Sequence, residues 1–553
     1  MTSPAAYAPP STDAWRPPRG GATRLARPRV SELPTIARLR DFMPDDGVRS
    51  WILTGIVTLV AFVIRIIGIG YPSYLIFDET YYAKDAYSLL HYGYERQWPD
   101  PMETTNKAFV NGDYSYLQDG PSFVVHPPLG KWLIAIGEQL FGVNSFGWRF
   151  MPCVFGALLV LMTIRLARRV SRSTMVGVLA GILLTFDGLA FTMSRIALLD
   201  IFQAFYIVAA VAAVVADRDW FRNRLADGLT RAGASDLGGG LGPLVLWRPW
   251  RWVAGAMFGC SIAVKWNSIY VLAVFGLLSV LWDVGARRLA GADFRSWLAL
   301  LYDGIPAFVA MVLGAAVVYV VSWTGWFATS GGWDRDWGAQ NPDSSLVRAF
   351  GPDIASWLWY HKEIYDFHTG DFINHATHPY NAHPAGWLLM LRPIGIDAVN
   401  GIKNGTDGCE VASGDCLRVI SGMGTPLLWW FAALALIVAC VWWLAGRDWR
   451  FGVPVLGVAS TWLPWVWQGV TTTRPLFFFY AITIVPFTVI GLAMVLGLML
   501  GRARGPGRRR AAIVAGLVVA LVVLDFGYMY PVLTDMLLPY NDWLTRMWLH
   551  SWI

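Results

Sequence analysis

The chain has 553 residues, of which 55% are hydrophobic and only 15% charged, and its formal net charge is +6. Soluble domains carry about 25% charged residues, so this composition excludes a soluble multidomain enzyme. Five cysteines in a chain of this length exclude a disulfide-based scaffold, and the mean hydropathy of +0.45 excludes a disordered chain.

The apolar residues occur in runs of about 20, which is the length needed to cross the core of a bilayer. Residues 1–48 are rich in Pro, Ala and Arg and contain no apolar segment typical of a signal peptide, so they are predicted to form a disordered or amphipathic cytoplasmic tail. The rest of the sequence predicts an all-α polytopic membrane protein. It has about eleven spans, near residues 49–70, 147–166, 173–193, 196–216, 251–264, 267–285, 304–325, 424–445, 451–468, 475–500 and 512–531.

The Lys and Arg residues indicate how the spans are oriented, because these residues accumulate in short cytoplasmic loops. With the N-terminus inside, every second loop is basic. The arginines in these loops are Arg165, Arg168, Arg169, Arg172, Arg218, Arg222, Arg224, Arg231, Arg287, Arg288, Arg295, Arg447, Arg450, Arg502, Arg504, Arg508, Arg509 and Arg510. We therefore expect a multi-pass protein of the cell membrane. No nucleic-acid partner is expected, since these arginines flank spans and lack interleaved aromatic residues.

Two long segments then lie outside and divide the chain into modules. An N-terminal membrane module at 49–325 includes the first outer loop at 71–146, and the second outer loop occupies 326–423. A C-terminal four-helix module with a short outer tail occupies 424–553. All eight histidines fall on the outer side; exclusion of histidine from apolar spans explains part of this distribution but not its absence from the inner loops.

The first outer loop opens with FDETYYAKDA, in which Asp78 and Glu79 follow the first span directly. The apolar residues after them recur at helical spacing, which predicts an amphipathic helix at the membrane surface. Asp78 is either the N-cap of that helix or part of a carboxylate pair that faces a lipid-linked substrate. Further along, HPPLGK places His126 before a rigid turn and Lys131 at the start of a second interfacial helix.

Charged residues also occur near the outer ends of several spans, where an ionisable group is costly unless it is paired or functional. They are Arg149, Arg195, Asp200, Lys265 and Arg474. Snorkelling, or an ion pair between Arg195 and Asp200, would explain any one of them. Together, cations from distant spans at one depth suit the phosphate of a polyprenyl-linked substrate.

The second outer loop mixes histidines with Trp, Tyr and Asn, which favours hydrogen bonding and stacking on a sugar or peptide. We assign His378 and His383, together with His126, to substrate binding. The histidine spacing fits no standard zinc pattern, so no metal site is assigned. Cys409 and Cys416 lie in a polar hairpin on the oxidising side and are predicted to form a disulfide, whereas Cys153, Cys260 and Cys440 lie within spans.

These motifs, with SRIALLD at 194–200, AVKW at 263–266, HPYNAHPAGW at 378–387 and RPLFFFYA at 474–481, resemble the protein O-mannosyltransferases of the GT-C class, in their actinobacterial form. The resemblance covers the chain from about residue 50. It implies transfer of mannose from a polyprenyl-phosphate-mannose donor to Ser or Thr of secreted proteins, with Asp78 as the catalytic carboxylate, Glu79 as its partner and Arg149 as an important arginine. Eukaryotic members insert a β-trefoil domain in the second outer loop; here that loop is too short to contain one.

The bond that is broken indicates the mechanism. A sugar phosphoester has a good leaving group, so the reaction needs a base for the acceptor hydroxyl and cations for the departing phosphate. We assign Asp78 as the base, Glu79 as its orienting partner, and the phosphate site to Arg195, Lys265, Arg149, Arg474 and Lys131. A single displacement with inversion follows. No cofactor is required, although related enzymes that glycosylate asparagine use a divalent metal beside a similar acidic pair.

Two other classes fit parts of this pattern. A transferase of the same fold that glycosylates a lipid or a cell-wall glycolipid would share the donor site and differ in its acceptor contacts. A transporter would place charges at mid-depth along a path, rather than at the outer ends of spans. The partners expected for the favoured function are the lipid bilayer, the lipid-linked donor, secreted acceptor proteins and the secretion machinery.

Overall fold

A computed structural model of the protein describes residues 34–40, 46–502 and 506–553. The remainder of the predicted tail and the segment containing Arg504 lie outside the described residues. The N-terminal half contains helices α1 (Thr35–Leu39), α2 (Val48–Ile66), α3 (Glu79–Tyr92), α4 (Met102–Val110), α5 (Leu129–Phe141), α6 (Ser145–Ser171), α7 (Thr174–Thr185), α8 (Gly188–Met193), α9 (Asp200–Ala232), α10 (Pro249–Ile262) and α11 (Ile269–Leu289).

The second half of the chain is also mostly helical. Its helices are α12 (Ala299–Tyr302), α13 (Gly304–Phe308), α14 (Gly314–Ser322), α15 (Thr324–Ala328), α16 (Trp337–Gln340), α17 (Ser345–Phe350), α18 (Pro352–Thr369), α19 (Asp371–Asn374), α20 (Pro426–Leu444), α21 (Trp449–Thr471), α22 (Val485–Arg502), α23 (Pro506–Leu533) and α24 (Tyr540–Leu544). A short π-helical segment at Val309–Leu313 joins α13 to α14. Short 3-10 helices lie at Trp266–Ser268, Asp293–Leu298, Pro384–Leu389, Phe478–Thr483 and His550–Trp552.

Helices occupy each of the eleven predicted apolar segments. Among the described residues, seven helical stretches are long and apolar enough to cross a membrane, and two shorter apolar helices accompany them. The prediction of a mostly helical, multi-pass membrane protein is therefore confirmed, while the number eleven stays a prediction. The most enclosed of the seven is α9, in which 83% of the apolar window is buried, and it packs between α6 and α10.

One predicted span, at 173–193, is two helices. The break lies at Asp187, whose carboxylate caps α8 by accepting a hydrogen bond from Ala190 N at 2.8 Å. The other carboxylate oxygen accepts from the indole of Trp429 in α20, also at 2.8 Å. A buried carboxylate with this many donors is satisfied, so the break joins the N-terminal and C-terminal modules at no cost in unpaired charge.

The helices share two ends. The first, which we call the loop end, carries residues 71–146, 326–423 and 534–553. The second, the arginine end, carries 34–40, 165–172, 217–251, 283–303 and 445–450. At the arginine end, Arg248 and Arg251 both donate to the buried carboxylates of Asp217 and Asp283. The predicted basic loops are therefore partly neutralised by acids, because buried cations need partners.

The second outer loop contains a small antiparallel sheet that the sequence analysis did not predict. Strands β1 (Ile394–Ile402) and β2 (Cys416–Gly422) form a hairpin with two irregularities in its register, and β2 also pairs with β3 (Leu538–Pro539) near the C-terminus. The sulfur atoms of Cys409 and Cys416 are bonded, at a Cα–Cα distance of 5.8 Å, and both side chains are buried. The disulfide closes the loop between β1 and β2.

We expect Cys409 and Cys416 to be a disulfide in the mature protein as well. Closing so short a loop stabilises the fold by roughly 2–3 kcal/mol in the chain-entropy account. Non-reduced peptide mapping by mass spectrometry should recover the two cysteines in one cross-linked peptide, with Cys153 as the free-thiol control. Recovery of both as free thiols would contradict the prediction.

Candidate active site

The loop that joins α2 to α3 sets the position of Asp78. Phe77 has a positive φ of 49°, a conformation that non-glycine residues adopt rarely and that often occurs at functional sites. Its ring packs edge-on against Phe479 with centroids 5.6 Å apart, which holds the turn. Asp78 occupies the N-cap position of α3, but its side chain makes no capping hydrogen bond. The helix-cap interpretation of Asp78 is therefore wrong.

The Asp78 carboxylate is half-buried and forms no hydrogen bond with any residue that the structure describes. Burial raises the pKa of this carboxyl to about 6; Lys265 opposes the rise, and Asp200 adds to it. Because the charged form lacks compensating donors, it is a better proton acceptor than an exposed aspartate near neutral pH.

Glu79, the next residue, is in the opposite situation. Its side chain is fully buried, and Arg149 of α6 donates to both of its oxygens, with Nε–Oε1 and Nη2–Oε2 distances of 2.7 Å. The backbone N–H groups of Ala197 and Ile76 donate to the same carboxylate at 2.9 and 3.1 Å. With four donors in place, Glu79 is an anchor for the first residue of α3.

Arg149 does not contact a phosphate site in this arrangement, which corrects its assignment. All five of its N–H groups are used within the protein, and the side chain is 1% exposed. Besides Glu79, its acceptors are the carbonyl oxygens of Ile69, Pro72 and Tyr74, at 2.7–3.2 Å. Arg149 therefore fastens the loop before Asp78 to α6.

The assignment of Lys131 to phosphate binding is also not supported. Its ammonium group is 1% exposed and pairs with Glu95 and, at 3.4 Å, with Asp85 of α3. A lysine between two buried carboxylates carries no excess positive charge toward a ligand. Its contacts instead hold α5 against α3.

Arg195 likewise differs from both interpretations of the sequence. It does not pair with Asp200; its guanidinium donates to the carbonyl oxygens of Arg65, Ile67 and Gly68, at 2.6, 2.6 and 3.1 Å. These carbonyls lie at or just after the C-terminal end of α2, where a cation also interacts favourably with the helix dipole; the Gly68 oxygen accepts from Tyr71 N as well. Arg195 is therefore a cap of the helix that leads to Asp78.

Asp200 pairs with Lys265 instead. The Lys265 ammonium lies 2.8 Å from each Asp200 oxygen and 5.2 Å from the ring centroid of Tyr480. It is close enough to Asp78 to lower the pKa of that carboxyl. Of the predicted cations, Lys265 is thus one that the fold brings near the Asp78 carboxylate.

Arg474 is the second cation in this region, and it forms no ion pair with the residues that the structure describes. One of its Nη atoms lies 3.5 Å from Nδ1 of His368, whose ring packs against His126 with centroids 5.7 Å apart. Burial, then the nearby Lys265 and His368, lower the pKa of His126 well below its usual range, and burial lowers the pKa of His368 to about 4. Both rings are therefore neutral. Nε2 of His368 donates to the carbonyl oxygen of Val125 at 3.0 Å, so the His126 ring is the one with nitrogen atoms left to hydrogen-bond a sugar, within the part of the chain that the structure describes.

The structure gives the two later histidines local roles. Nδ1 of His378 accepts from Tyr380 N at 3.2 Å, and Nδ1 of His383 accepts from Ala385 N at 3.3 Å. Neither contacts Asp78, so their assignment to substrate binding stays a prediction. Within the described ranges, no group of three His, Cys, Asp or Glu side chains is arranged to hold a metal ion.

Sequence reasoning missed three aromatic residues of the site. Burial, then the nearby carboxylates of Asp78 and Asp200, raise the pKa of the Tyr82 phenol. The ring of Tyr480 lies beside the Lys265 ammonium. Trp266 packs against the ring of His368, with a centroid distance of 6.4 Å. Tyr82 was within reach of the sequence, because residues i and i+4 share a helix face and Asp78 directly precedes α3. Tyr480 and Trp266 come from distant helices.

The arrangement brings Asp78, Lys265 and Arg474 around the phenol of Tyr480, with neutral imidazoles and aromatic faces beside them. Among the described residues, Asp78 and Arg474 form no ion pair. A carboxylate in this state can take a proton from a hydroxyl, and Lys265 with Arg474 can stabilise a departing phosphate. Aromatic rings with hydrogen-bonding tips suit a sugar between the two.

Comparisons with known proteins identify relatives of this chain. The sequence model of the family described as dolichyl-phosphate-mannose-protein mannosyltransferase matches residues 55–234. A polyprenol-phosphate-mannose–protein mannosyltransferase of Mycobacterium tuberculosis is 37% identical over 97% of this chain and 99% of its own length. A protein of the same name from Corynebacterium glutamicum is 33% identical over 90% of this chain and 92% of its own length.

A solved structure shares the fold. The Saccharomyces cerevisiae protein O-mannosyltransferase Pmt1-Pmt2 complex bound to the sugar donor aligns with a TM-score of 0.66, at 12% sequence identity, over 94% of each chain. This likeness shows a common fold and confirms the fold class predicted from the sequence.

Because Asp78 lacks hydrogen-bond donors among the described residues and Glu79 has four, replacing each carboxylate by its amide should affect activity and stability in opposite ways. Asp78→Asn should abolish turnover, by about 100- to 10,000-fold, because an amide is not a base. It should leave thermal stability unchanged or improved at pH 7, since a carboxyl whose pKa is raised by folding destabilises the folded state when ionised. Kinetics and thermal unfolding on the same preparations test this.

Glu79→Gln is the matched control. It leaves the buried charge of Arg149 uncompensated, so we expect a loss of about 3–5 kcal/mol of stability. Activity that survives Asp78→Asn within threefold, in a folded protein, would contradict the base assignment.

The raised pKa of Asp78 predicts the pH dependence. Since the carboxylate is the active form, kcat/KM should rise with pH, with a midpoint of about 6, and then level off. The rise in kcat should come at higher pH, because the phosphate of the bound donor adds negative charge near Asp78 and raises its pKa. In Lys265→Gln the midpoint in kcat/KM should move upward. A profile without a rise between pH 5 and 7 would rule out Asp78 as the titrating base.

Proposed function

The chain belongs to the protein mannosyltransferase family and is a membrane-embedded glycosyltransferase, and from this membership we propose that it transfers mannose from polyprenyl-phosphate-mannose to Ser or Thr hydroxyls of secreted or membrane proteins. Relatives named for this activity align with it over nearly their whole length. The observation that supports the proposal most strongly is the Asp78 carboxylate, which is half-buried near Lys265 and has no hydrogen-bond donor among the described residues.

The reaction is a single displacement. The acceptor hydroxyl oxygen attacks the anomeric carbon of mannose while Asp78 takes its proton. The bond from that carbon to the phosphate oxygen breaks, and its electron pair leaves with polyprenyl phosphate. Attack opposite the leaving group inverts the anomeric configuration, and no covalent enzyme intermediate forms.

Arg474 and Lys265 meet the leaving phosphate in this scheme. Arg474 has no ion pair to break within the part of the chain that the structure describes, so its guanidinium is ready for a charge-assisted contact. Lys265 is held by Asp200 and delivers its charge at a fixed position, near both Asp78 and Tyr480. Neutral His126 lies beside them and binds a sugar hydroxyl, and His368, whose Nε2 donates to Val125 O, packs against the His126 ring.

The remaining charged residues predicted for the site hold the helices and loops around Asp78 in place. The Glu79–Arg149 pair fixes the start of α3, Arg195 closes the end of α2, and Lys131 joins α5 to α3. Their loss would misplace Asp78, and misplacement of a reacting group by about 1 Å can cost 100-fold in rate.

The membrane orientation follows from the arginine end. Its arginine-rich loops support a cytoplasmic position, so the N-terminus is cytoplasmic and the loop end, with Asp78, faces outward from the cell membrane. Acceptors then meet the enzyme after translocation, which makes the secretion machinery a natural neighbour.

The function is tested with purified protein and labelled polyprenyl-phosphomannose. A Ser- and Thr-rich secreted peptide should be mannosylated, and neither a lipid acceptor nor a peptide with Ala in place of Ser and Thr should be. Asp78→Asn serves as the matched inactive enzyme. Transfer to lipid but not to peptide would replace the proposal by glycolipid synthesis.

Arg474→Gln tests the phosphate contact. The substitution should lower kcat/KM by about 10- to 100-fold, the range expected for one charge-assisted contact, and Arg474→Lys should restore part of the activity. Lys362→Gln is the matched control, because Lys362 is an exposed cation of the same end that pairs with Asp366. Full kcat/KM in Arg474→Gln would place the phosphate elsewhere.

A further inference from the structure

The arginine end contains a cavity that lies at the opposite end of the bundle from Asp78. Its volume is about 310 Å³, at the lower end of the range of roughly 300–1,000 Å³ for ligand pockets. It forms where α6 and α22 end and where α7, α21 and α23 begin. Five helix termini thus meet around one space at the boundary between apolar and polar sequence.

The lining of the cavity has two chemically distinct parts. One part is apolar and contains side chains of the membrane helices, Val176, Met494 and Leu498 among them. The other part is polar and cationic, with Arg450, Arg508 and Ser173. An apolar wall continued by cations at a helix boundary matches the layout of a phospholipid, whose chains meet its headgroup at this depth.

The net charge of the polar part of the cavity indicates which kind of lipid headgroup would bind there. Arg450 pairs with Asp448 through Nη2 and Oδ2 at 2.6 Å, so this pair contributes little net charge. Arg508 is exposed and has no ion-pair partner among the residues that the structure describes, which leaves the site with a net positive charge. Basic pockets between membrane helices bind anionic lipid headgroups.

The cavity has an open rim that includes an apolar side chain of α7. The Met175 side chain, which forms part of its rim, is 54% exposed, while Val176 beside it is 4% exposed. A molecule with a long apolar chain can therefore enter from the lipid phase, whereas a small soluble anion would use only the polar part.

We propose that the cavity between α6, α7, α21, α22 and α23 is a binding site for an anionic phospholipid. The phosphodiester contacts Arg508 and the Ser173 region, and an acyl chain lies along Val176, Met494 and Leu498. The bound lipid joins the two modules, because α6 and α7 come from the N-terminal module and the other three helices from the C-terminal one.

Native mass spectrometry of the detergent-purified full chain, titrated with phosphatidylglycerol or phosphatidylcholine, tests the proposal. We expect one phosphatidylglycerol molecule to bind at least about tenfold more tightly than phosphatidylcholine, and Arg508→Gln to abolish that preference. Arg509→Gln is the matched control, since Arg509 is an exposed neighbour that does not line the cavity. Met175→Trp, which fills the rim, should weaken lipid binding without changing the charge.

Three results would overturn the proposal. The first is equal binding of the two lipids by the unmodified protein. The second is an equal loss of phosphatidylglycerol in Arg508→Gln and Arg509→Gln, which would indicate unspecific attraction to the arginine end. The third is inorganic phosphate raising the thermal stability as much as phosphatidylglycerol does, because the occupant would then be a soluble anion.

Discussion

The buried ion pair between Glu79 and Arg149 is the interaction on which the loop end depends. Taking two charges out of water is costly, and the cost is offset only when every donor and acceptor finds a partner. Here the carboxylate has four donors and the guanidinium uses all five of its N–H groups. These bonds tie four segments to one point: the start of α3, the loop after α2, the N-terminal part of α6 and, through Ala197, the turn between α8 and α9.

This anchor fixes the position of Asp78. It is covalently next to a residue that cannot move, and it is held by the turn at Phe77, so its carboxylate needs no hydrogen bond of its own to be positioned. A reactive group that is fixed through its neighbour keeps its lone pairs for the substrate. The same division recurs among the cations: Arg149, Arg195 and Lys131 are engaged by carbonyl oxygens or carboxylates of the protein, whereas Arg474 is not paired with a carboxylate among the described residues.

Much of this could be predicted from the sequence. Hydrophobic runs located the helices, because a bilayer demands about 20 apolar residues per span, and the position of Asp78 beside a span end indicated its role. The partners of the charges could not be predicted. Arg149 is 70 residues from Glu79 and Lys265 is 65 from Asp200, and only the packing of helices decides which of several outer-end charges meet. The strand β1 was missed because its Gly and Asn residues and irregular register hide the usual alternation.

The central claim is that one unpartnered carboxylate drives a direct displacement. NMR of the product made from a donor of known anomeric configuration measures this most directly, since the linkage to the peptide reports on which face of the sugar was attacked. The account predicts complete inversion. Retention would mean that an enzyme group, with Asp78 the nearest, forms a covalent intermediate with mannose, and the role of Asp78 as a base would then be contradicted.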